Sequence, residues 1–501
     1  MSQFNPKAVS SIKKTLSANG NLQDVKNLEQ QAVELLFNTL YGRDSFYEST
    51  DEKATRLNQV IADLVRKGKV DFVANLLLFA RSEMHIRNMP IMGLKAFSDV
   101  LRKQNRPFAG MRSLTANVIQ RVDQITDTLA LFVKGQGKSK MPMAVKRGLS
   151  DAFNKFDEYQ FAKYNRSGVV SLKDALRIVH PTPTADKNSE AFRKIMGDSL
   201  TPADTWEVAM STNGQKDVES RKDKKEVWED LIDRNKLGYQ ALLKNLRNIL
   251  QAGVSEDHLR LVAAALIRGV AKSKSLPFEF WTAYNSIATE TSFRPILNAL
   301  EQCMDISAAN IPTLGRKVWI VMDVSGSMRG RALETAAFFT AAIAKAHKDA
   351  DYLAVTQFAS NAAQIAINPN NSILANYKVL IGGSLGGSTN FGAALFQEHS
   401  LGFKPDVVFV LTDGEINDFG TDRNSYYGLD LNSTAAVQNC APGANKYVIN
   451  MESAESTPLP SRFGWVALAG WSTKLFDLIE LGKNKASVIN KLNQPYPYTS
   501  V

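Results

Sequence analysis

The chain has 501 residues, of which 44% are hydrophobic and 22% charged, proportions that are ordinary for a soluble globular protein. Its two cysteines, Cys303 and Cys440, exclude a disulfide framework and a cysteine-rich zinc site. The N-terminus lacks the apolar core of a signal peptide, and no apolar run reaches the ~18–20 residues of a membrane span. We therefore predict a cytoplasmic protein of about two to four domains that does not associate with membranes.

The formal net charge of +10 is unevenly distributed along the chain. Residues 316–501 contain 15 Lys or Arg and 15 Asp or Glu, which leaves 45 cations and 35 anions in residues 1–315. A basic excess that is confined to one part of a protein suggests a polyanionic partner. An evenly solvated basic surface is the alternative.

Residues 1 to about 310 are predicted to form one helix after another. Apolar residues recur at helical spacing, Gly253 suits a helix end and Ser255 the next helix start. The segment VDFVANLLLFARSEM has the same character, and Pro90 opens the helix that follows. Many short amphipathic helices indicate stacked pairs, as in HEAT-type solenoids, with a compact all-helical bundle as the alternative. The clearest periodic set is Leu242, Leu243, Leu246, Ile249 and Leu250.

A basic stretch lies within this helical part, between residues 134 and 180. Tyr159, Phe161 and Tyr164 are interleaved with its cations. Cations neutralise phosphates and release counterions, while aromatic rings can stack on unpaired bases. For Phe161 we favour a place in the hydrophobic core. The cations are Lys134, Lys138, Lys140, Lys146, Arg147, Lys155, Lys163, Arg166, Lys173 and Arg177.

The pattern changes near residue 315, where KVWIVMDVS suits a buried parallel strand. ALETAAFFTAAIAKAHK then predicts a long helix, and further strands are predicted in YLAVTQFA, DVVFVLTDG, KYVINM and FGWVALAG. Strands that alternate with helices indicate a doubly wound α/β sheet. We predict a multidomain fold, all-α over residues 1–314 and α/β over residues 315–501, with IPTLGR at 311–316 as the linker.

Oxygen-bearing side chains follow the strands of the α/β part. Asp323, Ser325 and Ser327 form D-x-S-x-S after the first strand, Thr389 lies in GGSLGGSTNFG, and Asp413 ends DVVFVLTDG. Ligands of open α/β sheets bind outside the carboxyl ends of the strands. Carboxylates and hydroxyls suit a hard cation such as Mg²⁺ that retains some of its waters.

This combination resembles the metal-ion-dependent adhesion site of von Willebrand factor A domains, and all five matching positions are present. The resemblance implies one divalent metal ion, for which we expect magnesium, held at these positions. It also implies that the incompletely coordinated metal accepts an acidic side chain from a partner protein. The alternative is that the loops are polar caps of the sheet and hold no ion.

Three long segments resemble the Ro ribonucleoprotein family, also called the TROVE module. They are MPMAVKRGLSDAFNKFDEYQFAKYNRSGVVSLKDALRIVHPTP, WEDLIDRNKLGYQALLKNLRNILQAGVS and ISAANIPTLGRKVWIVMDVSGSM. The resemblance implies a ring of HEAT-like repeats closed by an A-type domain. It also implies binding of small structured Y-like RNAs on the ring and of the single-stranded 3′ ends of misfolded noncoding RNAs in its hole, as part of RNA quality control.

By the same resemblance, Lys163 and His180 match positions that matter for RNA contact in animal members. Pro181 predicts that the helix ends at His180, and a helix C-terminus favours a protonated imidazole that could donate to phosphate. Arg147 and Arg166 are added as candidates because of their charge and their proximity in sequence. A surface histidine that caps its own helix, and lysines on a solvated face, are the alternatives.

No arrangement of residues predicts an enzyme. VSGSM is not the G-x-S-x-G of a nucleophile elbow, the five histidines lack metal-ligand spacing, and GGSLGGST lacks the lysine of a phosphate loop. A metal-dependent nuclease would need more carboxylates than the motif offers. We expect a monomeric RNA-binding scaffold, with an exoribonuclease or other protein as a possible partner at the metal. The alternative is a metal-dependent protein-interaction module whose basic part has no specific RNA role.

Overall fold

A computed structural model describes the protein over residues 14–16, 22–25, 27–37, 50–134, 141–165, 168–215, 222–289, 293–383, 386–399, 401–416, 440–451, 456–469 and 490–497. Up to residue 310 these residues are almost entirely helical, apart from an N-terminal hairpin of two short strands, β1 (Lys14–Leu16) and β2 (Leu22–Val25). Among the helices of these ranges, none has the length and apolarity that crossing a bilayer requires.

Seventeen α-helices cover the described residues of the N-terminal part, and most present one apolar face to a neighbour. They are α1 (Leu28–Phe37), α2 (Thr50–Arg66), α3 (Val70–Ser82), α4 (Met89–Lys103), α5 (Met111–Val118), α6 (Val122–Lys134), α7 (Met143–Phe153), α8 (Glu158–Tyr164), α9 (Leu172–Val179), α10 (Asp186–Met196), α11 (Trp206–Gln215), α12 (Lys224–Asp233), α13 (Tyr239–Lys244), α14 (Leu246–Gln251), α15 (Glu256–Ser273), α16 (Pro277–Ile287) and α17 (Arg294–Ser307).

Alternate helices of this part pack against each other. Helix α2 packs on α4, α3 on α5, α5 on α7, α13 on α15, and α15 on α17. Packing between every second helix is what two stacked layers of helical pairs produce, and it confirms the predicted all-helical N-terminal architecture. The helix boundaries at Pro90 and Ser255 are those expected, and Gly253 has the positive φ of +72° that favours glycine at a helix end.

One predicted helical stretch is divided. The leucine-rich segment forms two short helices, α13 and α14, that meet at Asn245. The Asn245 amide Nδ2 donates to the carbonyl oxygen of Ala241 at 2.8 Å, which ties the side chain to the backbone of its own preceding turn. Such local bonds from asparagine compete with the regular helix, and here the regular helix is interrupted at this one residue.

The C-terminal part is a six-stranded sheet in the order β5-β4-β3-β6-β7-β9. All neighbouring strands run parallel except β5, which pairs antiparallel with β4 at the edge. This confirms the predicted doubly wound α/β fold. The elements are β3 (Lys317–Asp323), α18 (Arg331–Ala346), β4 (Tyr352–Phe358), β5 (Ala362–Gln364), α19 (Ile373–Gly382), α20 (Phe391–His399), β6 (Val407–Thr412), β7 (Asn445–Asn450), β8 (Ser456–Thr457) and β9 (Trp465–Ala469).

The hydrophobic core does not stop at the junction of the two parts. One continuous core joins α12–α17 to one face of the sheet, while helices α1–α10 enclose a separate core. At the junction, the rings of Trp281 on α16 and Phe338 on α18 stack with their centroids 4.5 Å apart. The segment between the parts is also packed, since Ile311 and Leu314 are buried. The second half of the helical array and the α/β domain therefore share one packed interior.

Two segments from the C-terminal part of the chain pack on the N-terminal part. Strand β2 pairs antiparallel with β8, which follows β7 in the chain. Residues 490–497 pack on the N-terminal helices, where Leu492 and Tyr496 are buried in the core of α1–α10. The Asn75 amide on α3 donates to the carbonyl oxygens of Leu492, at 3.1 Å, and Gln494, at 2.7 Å. The α/β part thus contacts both ends of the helical array.

Candidate functional site

The D-x-S-x-S motif lies at the carboxyl end of β3, in the middle of the sheet. Asp323 is the last residue of the strand and is fully buried. Its Oδ1 accepts a bond from the backbone N–H of Ser325 at 2.9 Å, and its Oδ2 accepts one from the Thr412 hydroxyl at 2.7 Å. The Oγ atoms of Ser325 and Ser327 lie 3.2 Å apart, so the two hydroxyls are side by side in the loop. One carboxylate and two hydroxyls are therefore held together by local geometry.

The loop that carries Thr389 is fastened beside this motif. The carbonyl oxygen of Gly387 accepts a bond from the N–H of Gly326 at 3.0 Å, and Thr389 is buried. Gly387 has a φ of +97°, and a Cβ there would lie 2.4 Å from the Oγ of Ser360. Only glycine fits this close approach, so the glycines of GGSLGGST position the threonine loop against the first loop.

Asp413 follows β6, the neighbour of β3 in the sheet, and completes the group. Its Oδ1 accepts a bond from the N–H of Glu415 at 3.0 Å, whereas its Oδ2 is buried with no hydrogen-bond partner in the described part of the chain. Burial raises the pKa of Asp323 above its ordinary range, and the nearby charge of Asp413 raises it further. Two buried carboxylates that repel each other, one with an unpartnered oxygen, fit a divalent cation between them.

The predicted metal-site residues thus come together at one edge of the sheet. The sequence analysis missed Thr412, which holds the Asp323 carboxylate although it precedes Asp413 directly in the T-D-G motif. Its position as the last residue of a strand next to β3 was the available signal. Within the described residues, no group of three or more His, Cys, Asp or Glu side chains could hold a metal, so a cation at this edge would need hydroxyl oxygens among its ligands.

The predicted RNA-contacting residues lie on three consecutive helices. Arg147 is exposed on α7, and Lys163 is partly exposed on α8. His180 is exposed directly after α9, where it adopts a left-handed conformation with a φ of +50° and caps the helix through its N–H to Leu176. Helices α7 and α9 pack on each other, and both α8 and α9 pack on α6. Arg166 lies outside the described residues.

The cations of the basic stretch have different environments. Lys155 donates to the carbonyl oxygens of Ala116 and Ile119 at the end of α5, and Lys173 pairs with Asp198 at 2.6 Å. In the ranges that the structure describes, neither Lys146 nor Arg147 has a carboxylate within ion-pair distance. The basic stretch therefore supplies both internal anchors and cations that are available to a polyanion.

The aromatic residues of this stretch also divide into two classes. Phe161 is fully buried and packs against Phe153, Phe156 and Phe192, as predicted. Tyr159 is 53% exposed on α8 and could stack on a base. Tyr164 lies between two cations, with the guanidinium of Arg121 at 4.6 Å and the Nζ of Lys163 at 5.6 Å from its ring centroid. The Tyr164 ring thereby helps to place Lys163 at the surface.

Comparison with solved structures finds the fold of the Deinococcus radiodurans RO (RSR) protein. The two structures superpose with a TM-score of 0.63 over 92% of this chain and 100% of that chain, at 14% sequence identity. Among curated proteins, telomerase protein component 1 of Mus musculus is 24% identical over 294 residues, and that of Rattus norvegicus 21% over 342. These matches cover 43% and 53% of this chain but only 11% and 13% of the relatives' own length.

Family comparison assigns both parts of the chain. Residues 318–415, which contain all five positions of the candidate metal site, match the von Willebrand factor type A domain. Residues 9–222 and 199–294 match the TROVE domain, which accounts for more than half of the sequence and for all of the candidate RNA-contacting residues. The chain belongs to the TROVE domain family and carries a C-terminal von Willebrand factor type A domain.

Proposed function

We propose that this protein binds RNA through helices α7–α9 and acts as a ribonucleoprotein scaffold without catalysing a reaction. Membership of the TROVE family supports an RNA-binding ribonucleoprotein role. The observation that carries the proposal is the exposure of cations on α7–α9: Arg147 and His180 are exposed, Lys163 is partly exposed, and α8, the helix of Lys163, also carries the exposed ring of Tyr159. Cations next to an exposed aromatic ring suit single-stranded RNA, which offers both phosphates and unstacked bases.

The RNAs proposed as ligands are a small structured Y-like RNA and the single-stranded 3′ ends of misfolded noncoding RNAs. The resemblance of the helical segments to the Ro family supports this choice, and the shared fold with the RO protein of D. radiodurans agrees with it. On this proposal the protein contributes to RNA quality control or processing in the cytoplasm.

The experiment compares RNA affinity among single-site variants of the full chain in a gel-shift assay with single-stranded RNA. Lys163→Gln and Arg147→Gln are each expected to weaken binding severalfold, because each removes one phosphate contact. His180→Gly is a sharper test, since the left-handed conformation of His180 favours glycine and the variant is expected to be at least as stable as the wild type. A loss of affinity in this variant cannot be ascribed to unfolding.

Lys348→Gln is the matched control. Lys348 is an exposed lysine of the α/β domain, so the variant changes the net charge equally but at a distance from α7–α9. Equal affinity of the three test variants and the control would refute an RNA interface on these helices. Incubation of labelled RNA with the protein and Mg²⁺ is expected to leave the RNA intact, and specific cleavage that Asp323→Ala abolishes would refute the non-catalytic role.

For the α/β domain we propose that Asp323, Ser325, Ser327, Thr389 and Asp413 hold one Mg²⁺. The ion would supply an open coordination position for an acidic side chain of a partner protein, such as an exoribonuclease. Two further contacts position these residues. The Thr412 hydroxyl orients the Asp323 carboxylate, and the hydrogen bond from the Gly326 N–H to the Gly387 carbonyl oxygen holds the D-x-S-x-S loop against the threonine loop.

A metal-dependent protein-interaction module without a specific RNA role is the second candidate function. The unpartnered Oδ2 of Asp413 favours this function, because it supports a metal site that lies in the α/β domain and does not involve the basic helices. Protein capture from extract with and without magnesium distinguishes the two candidates, with Asp323→Ala as the control. If the same proteins are captured in all cases, the metal does not recruit partners. If capture depends on magnesium while RNA binding is absent, the second candidate replaces the first.

We also propose that the protein is a monomer, and light scattering of the full chain checks this state.

A further inference from the structure

A row of buried polar side chains crosses three neighbouring strands at the carboxyl edge of the sheet. Met322 pairs with Leu411, and the residues that follow them, Asp323 and Thr412, are joined by the hydroxyl–carboxylate bond of 2.7 Å. Thr412 in turn pairs in register with Asn450, the last residue of β7. Paired residues of parallel strands point to the same face of the sheet, and neighbouring strands lie about 4.8 Å apart. Asn450 therefore extends the row that begins at the candidate metal site.

The side chain of Asn450 has polar atoms that the described residues do not satisfy. It is fully buried, and in the described part of the protein neither its Oδ1 nor its Nδ2 has a hydrogen-bond partner. The amide lies directly against the Asp413–Gly414 turn, because a Cβ built on Gly414 would be 3.2 Å from its Oδ1 and 3.3 Å from its Nδ2. Asp413 Oδ2, in the same turn, is also buried without a partner there.

Buried polar groups are almost always hydrogen-bonded, so unsatisfied atoms on two neighbouring residues at a sheet edge indicate a shared ligand. An apolar residue of similar size would fit a purely structural role better, since it would leave no amide to desolvate. The choice of asparagine at this position therefore calls for a ligand that needs both a donor and an acceptor.

A hydrated metal ion next to the Asp413 carboxylate meets this requirement, because the water is a donor and the carboxylate an acceptor. A metal-bound water can only donate hydrogen bonds, because its lone pair is directed at the ion, and a carboxylate can only accept them. We propose that Asn450 is a positioning residue of the magnesium site, whose Oδ1 accepts from a metal-bound water. Its Nδ2 and Asp413 Oδ2 are not bonded to each other in the described structure, and we propose that a small rotation of the two side chains lets Nδ2 donate to Oδ2 when the ion is bound. This inference rests on the proposed binding of magnesium at Asp323 and adds a second positioning residue to that site, after Thr412. Asn450 acts through a water and through Asp413 and does not itself bind the ion.

The test measures Mg²⁺ affinity of the full chain by calorimetric titration with magnesium chloride, together with the thermal midpoint of the metal-free protein. Asn450→Leu is expected to weaken Mg²⁺ binding about 10-fold to 100-fold, which is the usual effect of removing a partner of a metal ligand. The metal-free midpoint is expected to stay the same or to rise, because the variant removes an unsatisfied buried amide. Asn450→Ala, which adds no apolar bulk, is expected to show the same loss of affinity if the leucine does not fit.

Thr340→Val is the matched control. The Thr340 hydroxyl is also buried without a partner among the described residues, but it lies in the middle of α18, outside the polar row. This variant is expected to bind Mg²⁺ as the wild type does. A positioning role therefore predicts weaker Mg²⁺ binding for Asn450→Leu and unchanged Mg²⁺ binding for Thr340→Val, although both substitutions replace a buried unsatisfied polar group by an apolar one.

The outcomes separate this inference from the proposed metal binding. If the wild type binds Mg²⁺, Asp323→Ala abolishes binding and both Asn450 variants bind as tightly as the wild type, then Asn450 has no role at the site and the metal proposal stands. A fall in the metal-free midpoint with unchanged Mg²⁺ affinity would identify Asn450 as a packing residue and overturn the inference. If the wild type takes up neither Mg²⁺ nor Mn²⁺, the metal proposal fails and the role of Asn450 fails with it.

Discussion

Leu492→Ala is expected to release residues 490–497 from the N-terminal helices. Leu492 is buried in the core of α1–α10, so the substitution removes apolar contacts and leaves a cavity. A buried leucine truncated to alanine costs about 2–5 kcal/mol. By comparison, the exposed ion pair of Lys491 with Glu83 contributes about 0–1 kcal/mol. The attachment of this segment is therefore expected to depend on the buried leucine and hardly at all on the ion pair.

Hydrogen–deuterium exchange of backbone amides is the assay, because it reports the free energy of local opening for each segment. A loss of 2–5 kcal/mol corresponds to exchange that is faster by about 30-fold to several-thousand-fold, since about 1.4 kcal/mol is one factor of ten. The acceleration is expected in residues 490–497 and in α3, which donates the Asn75 bonds. Lys491→Gln is the control. If exchange in Leu492→Ala is no faster than in this control, the segment is not held by its apolar contacts and the reasoning is wrong.

Further predictions concern the junction and the helical packing. His347 is buried, donates from Nδ1 to the Ile343 carbonyl oxygen at 2.8 Å and accepts at Nε2 from the linker N–H of Leu314 at 3.2 Å, so the folded protein holds it neutral. Burial lowers the pKa of His347 below its ordinary value of 6.5. As the pH falls, the unfolded state therefore binds a proton before the folded state does. The free energy of unfolding is expected to decrease below about pH 6.5, by at most about 1.4 kcal/mol per pH unit. Urea unfolding at several pH values checks this, and His347→Gln is expected to lose that part of the pH dependence; an unchanged slope would contradict it. Gly148→Ala is expected to destabilise the protein by about 1–3 kcal/mol despite the better helix propensity of alanine, because its Cβ would lie 2.4 Å from the carbonyl oxygen of Arg112. The control, Gly214→Ala, has open space around the new Cβ and is expected not to destabilise; thermal midpoints that rank the two variants the other way would refute the packing argument.

The order of secondary-structure elements could be predicted from the sequence because each element carries its own local signal. The central residues of β3, from Val318 to Met322, are apolar because the strand is buried on both faces of the sheet, and all five predicted strands are present. The pattern of polar residues after these strands selected side chains that the sheet order brings to one edge, and the metal that they are predicted to hold stays a prediction. The division at Asn245 was not predictable, because the apolar spacing continues unchanged through the break.

Contacts between distant segments left no signal in the sequence. The linker at 311–316 was predicted from its composition, yet Leu314 is buried and bonded to His347, which is 33 residues away. The attachment of residues 490–497 to α3 spans more than 400 residues, and a single chain has no periodicity that reports such a contact. Asn450 was missed for a related reason. Its proposed role at the metal site depends on its register with Thr412 on the neighbouring strand, and the sequence does not show this register.

Salt dependence of RNA affinity tests the central claim most directly, namely that a cationic helical surface binds polyphosphate. The full chain is titrated with single-stranded RNA at ionic strengths between about 50 and 200 mM, the range over which counterion release changes affinity strongly. The logarithm of the affinity is expected to fall linearly with the logarithm of salt concentration, with a slope of about −0.7 for each phosphate contacted. Lys163→Gln is expected to make this slope shallower by about 0.7. Absence of RNA binding at the lowest salt concentration, or an affinity that does not change with salt, would contradict the account.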